Sequence, residues 1–288
     1  IVTSLLLLMV VYCHADEPLN EARYAASDQL FALLLANVAA HPQWRKVTEI
    51  DHSRLGREAG SEMPPSRVLI FSAPRLETDI IRENPLAALD LPLRVLAYEE
   101  SPGGASKVIY NRYAYIQSRY QLSQDARLED AYMSVMAGAL KGVATSNIGE
   151  FPSIEMESDG IITIESPVGF NDTLEKVFAA IDAQDDTVTF GTVDFKQQAE
   201  AFDVDLLPNT MILFGAPGPG ADAMSKSPTL GLDAFCQKFL VWEDPSGKVY
   251  LSFNDLLHLA ERQGVRKSIP LRVINFRLKK VFNDALDG

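Results

Sequence analysis

The chain contains itself twice. Pro65-Ser66-Arg67-Val68-Leu69-Ile70-Phe71-Ser72-Ala73-Pro74 reappears 143 positions later as Pro208-Asn209-Thr210-Met211-Ile212-Leu213-Phe214-Gly215-Ala216-Pro217. Each copy is a short apolar run between prolines, the pattern of a buried strand running into a turn. The same offset relates Asp51 to Asp194, Pro85 to Pro228, Leu89-Asp90 to Leu232-Asp233, Asn111 to Asn254 and Leu128 to Leu271. Only a hairpin slips by one position, setting Tyr98-Glu99 on Trp242-Glu243. An offset held over that length marks duplication of a whole domain, since the unit is too long for a solenoid repeat.

The 288 residues are enough for two domains that each bury a core, and a 47% hydrophobic, 23% charged composition is that of a folded globular protein. The expected division is a first domain over 16–143, a linker over 144–160 punctuated by Gly149, Pro152 and Gly160, and a second domain over 161–288. Residues 1–15 read as a signal peptide with a truncated start. The apolar run Leu5–Val11 is too short to span a bilayer, which takes about 20 residues, and Cys13-His14-Ala15 resembles a small-x-small cleavage site. A mature start near Asp16 and a secreted or periplasmic location follow as expectations, with an uncleaved N-terminal anchor as the alternative. No later apolar run is long enough for stable membrane insertion.

The net charge is −13, with −4 over residues 1–150 and −9 over residues 151–288. Nucleic-acid binding rests on clustered Lys and Arg, so it is excluded as a leading reading, and an anionic membrane surface is disfavoured on the same ground. With Cys13 assigned to the leader, Cys236 has no partner and reads as a small buried apolar residue.

Local pattern predicts a short strand over 21–27, a helix over 29–40 with Leu30, Leu33, Leu34, Asn37 and Val38 on its core face, and a strand over 44–50. A short polar helix to about Gly60 and the opening strand Val68–Phe71 follow. Residues 75–90 read as a loop and helical turn, 93–99 and 107–111 as a hairpin, and 113–120 and 128–143 as helices, the last with Ala131, Val135, Ala139 and Leu140 for packing. The plan then restarts. A strand over 161–165 should have one buried face, Asn171-Asp172 should cap a helix through Ala183, and a strand over 187–194 should lead into a short helix over 195–202. Strand Met211–Phe214, the hairpin 239–243/248–253 and helices over 256–263 and 272–285 complete the second copy.

The order Ile50-Asp51-His52, Pro64-Pro65, Leu69-Ile70-Phe71, Asn84-Pro85, Leu89-Asp90-Leu91-Pro92-Leu93-Arg94, then a hairpin with Glu99 and Tyr110-Asn111, resembles the DUF302 family. The second half resembles it through Leu213-Phe214-Gly215-Ala216-Pro217, Val241-Trp242-Glu243-Asp244, Gly247-Lys248-Val249 and Asn254-Asp255. The resemblance implies two copies of an α+β domain, each a curved sheet with helices packed on one face, similar to the TATA-binding-protein-like fold. It implies no activity, because the family has no established one and fold alone does not assign function. The copies differ: Ser72 stands against Gly215, His52 against Phe195, and Leu91-Pro92-Leu93-Arg94 against the longer Ala234-Phe235-Cys236-Gln237-Lys238.

Asp51-His52 at a strand end is the most suggestive pair, a His beside a carboxylate being able to act as base or metal ligand. No second His lies in metal spacing, and a strand-end cap is the competing role. Glu99 with Glu243, and Asn111 with Asn254, repeat in both copies and would either line a ligand pocket or cap turns. Asp51, His52, Glu99, Asn111, Asp194, Glu243 and Asn254 form the candidate ligand-binding set. No catalytic, metal or cofactor residues are assigned. Gly218-Pro219-Gly220-Ala221-Asp222-Ala223 matches a G-x-G-x-x-A string, but Pro219 removes an amide a phosphate would need, and it reads as a surface loop. Three functions stay open: a non-enzymatic module binding a small ligand or protein, an enzyme with its site around Asp51 and His52, and a structural module in which the two domains pair within one chain.

Overall fold

A computed structural model describes residues 22–152, 154 and 156–287; the leader expected over 1–15 lies outside them. The first copy runs α1 (Ala25–Ala39), β1 (Arg45–Asp51), α2 (His52–Glu58), β2 (Ser66–Ser72), α3 (Pro74–Glu83), a 3-10 turn (Pro85–Asp90), β3 (Leu93–Tyr98), β4 (Lys107–Ile109), α4 (Tyr113–Tyr120) and α5 (Ala126–Ala139). The second runs β5 (Ile161–Glu165), α6 (Phe170–Asp182), β6 (Val188–Asp194), α7 (Phe195–Glu200), β7 (Asn209–Gly215), α8 (Pro217–Met224), a 3-10 turn (Pro228–Leu232), β8 (Gln237–Glu243), β9 (Val249–Asn254), α9 (Leu256–Arg262) and α10 (Ile269–Asp287). Two antiparallel sheets result, ordered β1-β2-β3-β4 and β5-β9-β8-β7-β6. The fold is α+β, in two copies.

Duplication extends to the irregularities. The β1–β2 register shifts between Lys46 and Thr48, and the β6–β7 register between Thr189 and Gly191, 143 positions on. Prolines at the first positions of α3 and α8 suit helix starts, because the missing amide has no partner there and the ring presets the angle. Asp51 and Asp194 cap α2 and α7 by accepting the amides of Arg54 and Gln197, both at 2.9 Å. The second sheet has β5 on its β9 edge, whereas among the described residues the β4 edge of the first takes only a parallel bridge from Val108 to Ile148.

The repeated strands are central, and both their faces are covered, as an unbroken apolar run requires. Alternation along β7 divides two cores. Ile212 and Phe214 join Phe239, Phe253 and the α10 residues Leu271, Leu278 and Phe282. Met211 and Leu213 point the other way and, with Leu240, belong to the core of the first copy. Burying such a side chain is worth about 1.5–3 kcal/mol, so Met211, Leu213 and Leu240, each 0% exposed, tie the copies strongly.

The junction is reciprocal. Ser66 Oγ donates to Pro228 O at 2.9 Å, and its counterpart Asn209 Nδ2 donates to Pro85 O at 3.2 Å, so each sheet holds the other copy's 3-10 turn. Helix α2 packs on α8, and α7 on α3, the same contact from both sides. Gly56 permits the first approach: a Cβ there would lie 2.3 Å from the Ala221 Cβ. Gly231 permits another, a Cβ there falling 2.7 Å from both His52 Cδ2 and Ser66 Oγ.

Several expectations are corrected. Residues 22–27 are not a strand but helical turns leading into α1, as the Ala25-Ala26 pair favours. The buried face of α1 is Ser27, Phe31, Leu34 and Val38; Leu30 and Leu33 are partly covered, and Asn37 bonds the Ala139 and Lys141 carbonyls. Residues 75–83 form a regular helix, and Gly218–Ala223 lies in helix α8 rather than a loop. Asn171 does not cap α6; Gly169 does, and Asn171 sits inside the helix. Helix α5 buries Leu128, Tyr132, Met136 and Ala139 and leaves Ala131 exposed. Strand β5 has no fully buried residue.

Candidate functional site

The expected site residues divide among four places. Asp51 and Asp194 are helix caps, and Asp51 is further occupied by the Ser53 hydroxyl at 2.7 Å and the Arg54 guanidinium at 2.7 Å. His52 begins α2 but turns into the junction, where its Nε2 lies 3.0 Å from Gly231 O. A carbonyl only accepts, so Nε2 carries the hydrogen. Burial pushes this imidazole down to about 4, against the pull of the Gly231 carbonyl and of Asp51. His52 and Asp51 are thus engaged with different neighbours. Glu99 folds over its own hairpin, accepting the Gly103 amide at 2.9 Å and the Ser106 hydroxyl at 3.0 Å. Glu243 is half-buried at the end of β8, where its amide donates to Pro208 O, as that of Glu99 donates to Pro65 O, both at 3.0 Å.

Asn111 and Asn254 are brought together with groups that sequence reading passed over. Arg119 on α4 donates to Asp90 Oδ2 at 2.9 Å and to Asn254 Oδ1 at 2.7 Å. Arg262 on α9 donates to Asp233 Oδ2 at 2.7 Å and to Asn111 Oδ1 at 2.6 Å. Each arginine therefore binds the aspartate of its own copy and the asparagine of the other, and all three residue types recur at the 143 offset. Tyr120 OH and Asn111 Nδ2 also bond Asp90, and Gln263 Nε2 bonds Asp233 at 2.8 Å. The Arg262 guanidinium lies 3.4 Å over the Tyr115 ring. Burial would raise the Asp90 carboxyl, but Arg119, Lys238, Arg94 and Arg262 outweigh it and hold it well below the usual carboxylate range. Lys238 is fully buried; burial, reinforced by Arg94, brings its ammonium down to about 7, despite Asp90 and Asp233. The pairing of Ile70 with Arg94 and of Leu213 with Lys238 makes these two cations counterparts.

The two reciprocal helix contacts differ chemically. Between α3 and α7, the buried Glu77 carboxylate accepts the Ser72 hydroxyl at 2.6 Å, the Gln198 amide at 2.8 Å and the Ala73 amide at 3.2 Å. Burial raises its carboxyl against those bonds. The counterparts of Ser72, Glu77 and Gln198 are Gly215, Gly220 and Leu55. These three, with His52 and Cys236, line a cavity of about 20 Å³. Burial pushes the Cys236 thiol up to about 12, which leaves it protonated and unreactive.

Outside the Glu77 cluster lies a groove of about 760 Å³, the size of a small-molecule site. Trp44, Leu76, Leu128, Val135 and Phe202 supply apolar surface. Arg75, Arg82 and Arg127 alternate with Asp79, Glu83 and Asp125 among its polar groups. Trp44 is held by stacking on His41, ring centroids 3.7 Å apart. Part of the ionic set is internally paired: Arg75 with Asp79 at 3.1 Å and Arg127 with Asp125 at 2.9 Å. The groove draws on none of the seven expected residues, and Phe202 is its contribution from the second copy. Among the described residues no cluster of three or more His, Cys, Asp or Glu could hold a metal ion.

The sequence matches the family described as "Domain of unknown function DUF302" twice, over residues 24–140 and 162–284. It is 35% identical over 136 residues to "Fluoride-specific ion channel FluC 1" of Brucella suis biovar 1 (strain 1330), which covers 46% of this chain and 53% of that protein. "Fluoride-specific ion channel FluC 2" of Brucella melitensis biotype 1 matches with the same identity over 50% of its length. The chain spans about half the length of these curated relatives. A crystal structure of an uncharacterized conserved DUF302 protein from Bacillus stearothermophilus is similar at 15% identity, over 44% of this chain and 96% of that one, with a TM-score of 0.37.

Proposed function

Because the chain belongs to the DUF302 family, in two copies, and that family brings no activity with it, we propose a function from the site alone: a non-enzymatic module that binds a small molecule in the groove beside the junction. The observation that carries this is the groove itself. Its volume of about 760 Å³, apolar surface and interspersed ionic groups suit a ligand with an apolar body and polar ends. The test is a thermal-shift screen of the full chain against amphipathic metabolites, repeated on Ala131→Trp. Ala131 is exposed and lines the groove, so an indole there fills it without disturbing the core. A ligand that stabilises the parent and not the variant supports the reading. Stabilisation of both alike, or by no compound, defeats it.

The channel names of the relatives belong to proteins of about twice the matched length. A helical pore needs membrane-crossing helices, and no helix among the described residues is long and apolar enough to be one. The match supports a shared domain rather than a shared pore. We further propose export through the leader around Leu5–Val11, and domain limits of 16–143 and 161–288. Cell fractionation tests the first, with the protein expected outside the cytoplasm and its leader removed on N-terminal sequencing; protein confined to the cytoplasm would refute it. Limited proteolysis tests the second, with first cleavage expected within 144–160.

A further inference from the structure

Helix α10 carries two apolar stripes and buries one of them. Leu271, Ile274, Leu278 and Phe282 face the second core. Ile269, Val273 and Phe276, spaced i, i+4 and i+7, run along the opposite side. They are 78%, 60% and 68% exposed, the three most exposed large apolar side chains among the described residues. Single apolar residues scattered on a surface need no explanation, but a contiguous stripe marks a contact. Its surroundings are basic. Between Glu261 and Asp284 the chain holds no carboxylate, in a protein whose net charge is −13. Arg266, Arg272 and Lys280 are exposed with the stripe. Lys280 pairs with Asp284 at 2.5 Å and Arg272 donates to the Lys267 carbonyl at 3.3 Å, but neither Arg266 nor Arg272 has a carboxylate within ion-pair reach among the described residues.

Shape and charge decide what covers the stripe. A ridge one helix wide and about 10 Å long is too small for the roughly 800 Å² per partner that a stable protein interface buries. A second copy would also bring two surfaces of the same positive sign together. A bilayer needs no matching groove: an amphipathic helix lying in its interface buries the apolar stripe among the headgroups while flanking cations meet the lipid phosphates. We propose that α10 docks the protein on an anionic phospholipid surface, through Ile269, Val273 and Phe276 with Arg266, Arg272 and Lys280 at their rim. Charge counted over the whole chain argues against such a surface, but at about 0.15 M salt the screening length is about 8 Å, so carboxylates farther away than that contribute little. The helix lies on the bilayer rather than across it, because its other stripe stays in the core.

The experiment is co-sedimentation of the full chain, at about 0.15 M salt, with vesicles of phosphatidylcholine alone or of equal parts phosphatidylcholine and phosphatidylglycerol. The protein partitions onto the mixed vesicles and not onto the neutral ones. Phe276→Ser weakens the partition by about tenfold through lost apolar burial, and Arg272→Gln by about fivefold through one lost cation. Both side chains are exposed, so both variants keep the melting temperature of the parent. No partition onto the mixed vesicles, equal partition onto the neutral ones, or binding undiminished in either variant overturns the proposal, the last because it places the contact elsewhere, as on the apolar run Leu5–Val11. So does a dimer in analytical ultracentrifugation that Phe276→Ser dissociates, which assigns the stripe to a second copy.

Discussion

Replacing Lys238 by Met should stabilise the protein, and the gain should depend on pH in a way worked from the buried charges. Lys238 titrates near 7 in the fold against 10.5 when free, a difference that corresponds to about 5 kcal/mol. The charged and titratable groups that set it are Arg94 on β3, Asp90 in the first 3-10 turn, Asp233 after the second, and Arg119 on α4. Because the folded value is depressed, protonation favours the unfolded chain. The penalty is fully present below about pH 7 and fades as pH rises toward 10.5, where both states are neutral. Met fills similar volume and carries no proton. Its advantage should be about 5 kcal/mol at pH 6 and about 2 kcal/mol at pH 9. Asp90 is not orphaned by the change, since Arg119 at 2.9 Å and the Tyr120 hydroxyl at 2.8 Å remain. Urea unfolding of both proteins from pH 6 to 9, followed by tryptophan fluorescence, measures the difference, and every other titrating group cancels in it. A less stable variant at pH 6, or a gap that does not change with pH, would refute the reasoning.

Truncating Arg262 to Leu should do the opposite, removing about 3–5 kcal/mol by leaving the buried Asp233 Oδ2 without its donor at 2.7 Å and Asn111 Oδ1 without the donor at 2.6 Å; a chemical denaturation midpoint unchanged from the parent would contradict this. Gly56→Ala should cost about 1–3 kcal/mol through the 2.3 Å approach to Ala221, and Ala221→Gly should recover most of it in calorimetry; a neutral Gly56→Ala would mean α2 and α8 are free to separate. Asp51→Ala and Asp194→Ala each remove a helix cap and should each lower stability by about 1 kcal/mol. A ligand-binding loss in the Asp51 variant with stability unchanged would instead restore that residue to a binding role.

The fold was legible because duplication reinforced weak local patterns. The strand pair β2 and β7, the two hairpins and the helix pair α4 and α9 could all be read from runs that recur in register. Helix α3 was not, since the buried Glu77 and Thr78 interrupt the apolar spacing of Leu76, Ile80 and Ile81. Glu77 is bonded by Gln198 of α7, a partner far along the chain. The charged centre was half visible: Asp90 with Asp233, and Asn111 with Asn254, stand out at the common offset. Arg119 and Arg262 share that offset too, but their role appears only when the two sheets face each other. The groove could not be anticipated, because Trp44, α3, α5 and Phe202 meet through packing rather than through any motif.

The unequal helix contacts have a consequence for how such a chain can change. Two separate, identical subunits would carry any substitution on both sides of their axis at once. Glu77 with Gln198 would then appear twice, as would the small void bounded by His52 and Cys236. Joining the copies in one polypeptide lifts that constraint: one flank is sealed by a hydrogen-bonded carboxylate, the other is apolar, and the shared arginine centre stays symmetric between them. A protein built this way can specialise one flank while the other continues to hold it together.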